Sequence, residues 1–201
     1  MLDYENAWDK RLQIRTTGRD EENADQYRYP YEPTPYTVLE RLVKYSRIGE
    51  DDVVLDYGCG KGRVEFFLSQ QTKAQTIGVE YDQRIYKSAM ENKKTATARA
   101  KTRFALARAE TYVVPAEVNR CYFFNPFSVE ILHKVLARVL ESYYENPREV
   151  LLFFYYPSEE YLSYLMTVNG LEYHDEIPCG DLFDGKNPRE RIVVFALPCC
   201  Q

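Results

Sequence analysis

The run Val53-Val54-Leu55-Asp56-Tyr57-Gly58-Cys59-Gly60-Lys61-Gly62-Arg63 constrains the fold more than any other stretch of this chain. Apolar residues leading into an acidic residue and a glycine-rich turn read as a buried strand that hands over to a helix, the opening of an α/β crossover. Glycine suits backbone that bends sharply or comes close to a ligand, and the free amides of the following helix can face that ligand. A phosphate-cradling NTPase loop needs Gly-x-x-x-x-Gly-Lys followed by Ser or Thr, and Gly60-Lys61-Gly62-Arg63 has no hydroxyl to offer magnesium. A dinucleotide loop needs Gly-x-Gly-x-x-Gly, and counting from Gly58 the third glycine position is Arg63. What remains is Asp-x-Gly-x-Gly-x-Gly after an apolar strand.

A second acidic residue points the same way. Gln75-Thr76-Ile77-Gly78-Val79-Glu80 reads as another strand ending in a carboxylate, with a helix starting near Asp82. In crossover folds of this type such a carboxylate accepts hydrogen bonds from ribose hydroxyls. Taken singly, a glycine-rich turn can be only a tight turn and a strand-end Glu only a solvated one; their order and spacing favour a ligand. The combined pattern resembles the first motifs of the class I S-adenosylmethionine-dependent methyltransferases, over about residues 34 to 197. The resemblance implies S-adenosylmethionine as cofactor, with Asp56 near its charged amino-acid end and Tyr57, Gly58, Cys59, Gly60 and Gly62 forming the loop around it. It also implies that Glu80 holds both ribose hydroxyls and that Tyr81 packs on the adenine. Glu110 falls where the family contacts adenine, and Ala109 beside it offers backbone hydrogen bonds.

A coarse pass along the chain supplies the rest of an α/β architecture. Thr102 to Arg108 and Arg120 to Phe124 read as the third and fourth strands. Helix Val129 to Tyr144 carries Ile131, Leu132, Val135, Leu136, Val139 and Leu140 at steps of three and four, one core-facing stripe. Glu149 to Tyr156 is a continuous apolar run suited to a strand buried on both faces, and Ser158 caps a short helix ended by Asn169-Gly170. Leu171 to Ile177 and Arg191 to Leu197, separated by a polar loop, form a long hairpin. The expected fold is therefore a doubly wound, mostly parallel seven-stranded sheet with a C-terminal antiparallel hairpin. A chain of 201 residues suits one such domain, and the expected division is an N-terminal arm or lid over residues 1–33 and a methyltransferase domain over 34–201.

At the end of the fourth strand lies Asn125-Pro126-Phe127. Open α/β sheets bind ligands beyond the carboxyl ends of their strands, so this tripeptide is expected beside the transferred methyl group. It is similar to a shortened Asn-Pro-Pro-aromatic motif of methyltransferases acting on nitrogen, with one proline missing. That likeness implies that the Asn125 side-chain oxygen and a proline carbonyl accept from the target amine while Phe127 packs on it, a catalysis of positioning. The other reading is that Pro126 ends the strand and Asn125 or Ser128 caps the turn into the next helix.

The acceptor is less constrained. Tyr27-Arg28-Tyr29-Pro30-Tyr31-Glu32-Pro33-Thr34-Pro35-Tyr36 precedes an amphipathic helix that Thr34 and Pro35 start, and loosely resembles a Tyr-rich segment of some protein lysine methyltransferases outside the SET fold. Its tyrosines either clamp a lid onto the core or meet a cationic amine through their ring faces. Residues 1 to about 26 read as a polar arm that orders when substrate binds. Arg84 to Arg108 holds eight Lys and Arg residues, either a solvated helix face or a patch for an anionic substrate. With a net charge of −5 the whole-molecule field does not favour polyanions. A protein side-chain nitrogen is thus ranked ahead of RNA, and a small molecule third. A non-catalytic S-adenosylmethionine-binding scaffold is the alternative of a different class.

Five cysteines at irregular spacing, with no basic-then-apolar leader and no apolar run near the roughly 20 residues of a membrane span, favour reduced thiols and a cytoplasmic protein. No metal is expected: His133 and His174 lack partners at metal spacing, and Cys199-Cys200 has no second pair. Oligomeric state is not legible.

Overall fold

The computed structural model describes residues 2–199. Its centre is a seven-stranded sheet in the order β3-β2-β1-β4-β5-β7-β6. The strands are β1 (Val53–Tyr57), β2 (Gln75–Glu80), β3 (Thr102–Leu106), β4 (Arg120–Phe123), β5 (Val150–Tyr155), β6 (Glu172–Pro178) and β7 (Arg191–Leu197). β1 to β5 pair in parallel, while β7 runs antiparallel between β5 and β6, which closes the hairpin onto the sheet. The chain winds from β1 outward through β2 to β3 and returns to the other side of β1 with β4. That reversal opens a crevice beyond the carboxyl ends of β1 and β4.

Helices α1 (Leu2–Leu12), α2 (Tyr36–Ser46) and α3 (Arg63–Thr72) pack on one face, α5 (Val129–Glu145) and α6 (Glu159–Leu165) on the other, and α4 (Gln83–Thr95) links β2 to β3. Alternation along each strand divides the core. Val54, Tyr122, Leu151 and Phe153 join Phe66 and Phe67 of α3, whereas Leu55, Tyr57, Phe123 and Phe154 join the α5 stripe. On that stripe Ile131, Leu132, Val135, Leu136 and Val139 are all buried, each worth about 1.5–3 kcal/mol against exposure. Burial of this face, more than helix propensity, holds α5 in place.

Three local expectations are corrected. The N-terminal arm is folded in this structure: Trp8 of α1 stacks on Tyr36 at 5.6 Å and meets the edge of Phe67 at 5.0 Å, because an amphipathic turn with a large aromatic gains more from the core than from water. Thr34 does not cap α2, since its hydroxyl shares a 3.1 Å hydrogen bond with the Tyr122 hydroxyl and Pro35 stands at the cap position. Ser128 precedes α5 without a capping bond from its side chain. Asp82, by contrast, caps α4 by accepting from the amides of Arg84 and Ile85. Among the described residues no helix is long and apolar enough to cross a membrane, and Cys200 lies outside them.

Candidate cofactor and acceptor cleft

Beyond the carboxyl ends of β1, β2 and β4 lies a cleft of about 940 Å³ counting its open mouth. Asp56, Gly58, Cys59, Glu80, Tyr81 and Glu110 line it; Tyr57, Gly60 and Gly62 do not. Strand alternation explains Tyr57, which points into the opposite core and stacks on Phe123 at 4.9 Å. The glycine turn is built as the sequence suggests, with Gly58, Gly60 and Gly62 all at positive φ. Gly60 is covered by the Tyr31 ring: a Cβ there would stand 2.2 Å from it.

Glu80 ends β2 with its carboxylate tied to the loop, accepting from the Gly60 amide at 3.0 Å and the Asp82 amide at 2.9 Å. These bonds fix its orientation and leave lone pairs for hydroxyl donors. Burial nonetheless raises its pKa above the ordinary carboxylate value. Asp56 is 5% exposed, and burial pushes it up to about 8. Beneath it sits Glu65, wholly buried, whose pKa burial also raises.

The roof is the segment between α1 and α2. It makes single-residue bridges Asp20 with Tyr31 and Arg28 with Phe127. Arg84 binds Asp20 through two bonds of 2.6 and 2.7 Å, and Asn23 donates to the Asp82 carboxylate. Arg28 connects both residues expected at the adenine: its guanidinium lies 5.0 Å from the Tyr81 ring centroid and donates to Glu110 at 2.8 Å. The Tyr81 hydroxyl donates to the Asn23 carbonyl. The roof is anchored from below by Arg63, which is 3% exposed, donates to Thr16, Glu5 and the Thr34 carbonyl, and stacks on Tyr36.

At the acceptor end, Tyr122, Phe124, Pro126 and Phe127 line the cleft and Asn125 does not. Asn125 sits at φ +43° with its side-chain oxygen buried and unpartnered. The Pro126 carbonyl accepts from the Tyr29 amide at 3.2 Å, and that of Phe127 accepts from the Tyr161 hydroxyl. Glu32 stands exposed at the cleft, and the fields of Glu130 and Glu160 and the opposing field of Arg189 act on Tyr29 at its mouth.

Two residues of this site escape a motif reading. Arg28 finds Glu110 from 82 residues away, which no local pattern signals. Glu65 leaves a fainter mark, as a charged residue inside the otherwise apolar run Val64 to Leu68.

Residues 54–146 match a family model described as a methyltransferase domain. A protein-lysine N-methyltransferase from Saccharolobus islandicus (strain REY15A) is 34% identical over 64 residues, 31% of this chain; the match spans 40% of that protein's length. Among solved structures, a putative tRNA (m1A22) methyltransferase of Streptococcus pneumoniae superposes with a TM-score of 0.61 at 15% identity, over 85% of this chain and 72% of that one. An RNA methyltransferase from Salinibacter ruber in complex with S-adenosyl-L-homocysteine gives 0.56 at 18% identity, over 83% and 94%. The family-model match, the sheet order and the glycine loop with its two carboxylates agree: residues 54–146 match a methyltransferase domain, and the seven-strand sheet is similar in fold to S-adenosylmethionine-dependent methyltransferases.

Proposed function

We propose that the chain methylates a nitrogen on a protein side chain, with residues 34–201 as the methyltransferase domain and residues 1–33 as a lid. The observation that carries this reading is the charge of the cleft. Asp56, Glu65 and Glu80 are buried together, and among the described residues no lysine or arginine pairs with them; Arg63 is turned to Glu5 and Asp9. Such a site fits a ligand that brings positive charge of its own. Bound S-adenosylmethionine supplies an electrophilic methyl group on a positively charged sulfur. Asp56 would meet its ammonium end, Glu80 its ribose, and Tyr81 with Glu110 its base.

An acceptor amine needs only a free lone pair in line with that methyl, so the chain's contribution is to orient and to exclude water. Phe124, Phe127 and Tyr122 form an apolar throat, and Glu32, Glu130 and Glu160 outnumber Arg189 around its mouth, the balance that attracts a basic side chain. The partial similarity to a protein-lysine N-methyltransferase supports the same acceptor. RNA is less favoured because the net charge is −5 and three of the eight basic residues in Arg84 to Arg108 are held by acids: Arg84 by Asp20 and Glu22, Lys94 by Glu91, Arg103 by Glu117. The buried free thiols Cys59, Cys121 and Cys179 accord with a cytoplasmic setting.

The test is transfer of labelled methyl from S-adenosylmethionine into a lysate lacking the endogenous protein, wild type beside Asp56→Ala. Label that resists nuclease and disappears with protease is expected, with the Asp56 variant at least tenfold down. Nuclease-sensitive label would move the acceptor to RNA. Absence of transfer with retained cofactor binding would favour the scaffold reading.

A further inference from the structure

We infer that Glu65 is a positioning residue of the cofactor site: it stands as a neutral acid whose hydroxyl donates to the Asp56 carboxylate and fixes that carboxylate to receive the ammonium end of the ligand. The inference rests on the S-adenosylmethionine reading of the cleft. Asp56 lies on the face of β1 that α3 covers, and Glu65 is the third residue of α3. Glu65 is wholly buried, and neither of its oxygens meets an N–H or O–H donor of the chain. Its other side is sealed by β2, where Gly78 leaves the room it needs: a Cβ on Gly78 would lie 2.4 Å from Glu65 Oε1 and 2.7 Å from Cys59 Sγ.

Asp56 on β1 and Glu65 on the helix that covers it are neighbours whose carboxyls act on each other, and Glu65 has no other partner for its oxygens. Two ionised carboxylates are acceptors only, so the contact is attractive only if the pair holds a proton. The groups facing this pair are Glu80 from β2, Cys59 from the glycine loop, Tyr31 from the roof and Tyr122 from β4. All are acids, and none supplies a cation. Of the two partners only Asp56 opens to the cleft, so the negative charge belongs there and the proton on Glu65. Burial lifts Asp56 to about 8, so an ammonium-bearing ligand arriving below that pH drives a proton off Asp56 while Glu65 keeps its own.

Calorimetry with S-adenosylhomocysteine, which keeps the ammonium, tests this in buffers of different ionisation heat. At pH 6.5 wild type is expected to release close to one proton per ligand, and its affinity to rise by about tenfold per unit between pH 6 and 7.5. Glu65→Leu removes the donor at similar volume and should weaken binding by about tenfold or more, with the pH profile displaced upward. Glu65→Gln, whose amide can still donate, should recover to within about threefold of wild type. The ligand's own amine titrates alike in all arms. Wild-type binding without proton release, a Glu65→Leu profile like wild type, or a Glu65→Gln variant as weak as Glu65→Leu would each overturn the inference. If Glu65→Leu fails to fold, the proton count and the Gln variant decide. No wild-type binding at about a millimolar would instead overturn the cofactor reading itself, and this inference with it.

Discussion

Asp56 and Tyr57 are chain neighbours on opposite faces of β1, and the difference decides what each can do. Asp56 reaches the cleft, whereas the Tyr57 hydroxyl is buried in the α5-side core with no hydrogen-bond partner. An unmade buried hydrogen bond costs free energy, so Tyr57→Phe should leave stability unchanged or raise it by about 1 kcal/mol in urea unfolding. Affinity for S-adenosylhomocysteine should stay within about twofold. A loss of 1 kcal/mol or more would show that the hydroxyl is satisfied after all. The motif reading took Asp56, Tyr57, Gly58, Cys59, Gly60 and Gly62 together around the cofactor, yet the period of two in a strand already separates Asp56 from Tyr57. The glycine positions and the two strand-end carboxylates were legible because each answers a local backbone or chemical need. The side-chain directions of Asn125 and Glu65 were not, because they depend on a left-handed turn and on Gly78, a residue of another strand.

The elements themselves were legible wherever one face or a whole strand is buried, as in α5 and β5, since burial writes a period into the sequence. Pairing between distant elements leaves no such period, and the roof over the cleft is held that way. Its bonds to the body are specific side-chain and backbone pairs; over the cleft they include Arg28 to Glu110, Asp20 to Arg84, Asn23 to Asp82, the Tyr81 hydroxyl to the Asn23 carbonyl, and the Tyr29 amide to Pro126. The Arg84 pair is partly exposed and screened by salt, so it adds little. Arg28 and Glu110 are both mostly buried, and Arg28 also covers Tyr81, so if the roof acts as the proposed lid this contact is its latch. Arg28→Ala should therefore speed release of S-adenosylhomocysteine by about tenfold in stopped-flow fluorescence, the effect of roughly 1.4 kcal/mol. A smaller change is expected in the unfolding midpoint, because α1 and Arg63 still anchor the segment. Unchanged release would mean that the roof is a fixed wall rather than a lid.

At the scale of the whole molecule, the fold class followed from the order of strands and glycines, and the crevice at the β1–β4 reversal followed from the fold. What composition could not show is that part of the chain's acidity is concentrated inside. Asp56, Glu65 and Glu80 all have pKa values raised by burial, so between their ordinary range near pH 4 and about pH 8 the folded chain holds more protons than the unfolded one. Unfolding free energy then falls as pH rises through that window, by on the order of 1.4 kcal/mol per unit for each fully shifted group. Acids with depressed pKa, Asp20, Asp25, Glu117, Glu130 and Asp181, act in the opposite sense but only below their own ordinary values, so the two windows hardly overlap. The free protein should accordingly have its highest Tm near pH 5 and lose several degrees by pH 8. A ligand bearing an ammonium group compensates the charge that has by then appeared on Asp56. Saturating S-adenosylhomocysteine should raise Tm more at pH 8 than at pH 6, and Asp56→Asn should abolish that difference while flattening the decline of the free protein. A Tm that climbs from pH 5 to pH 8 without ligand would show that the buried carboxyls are not protonated, and that cations reach them by a route the fold does not display.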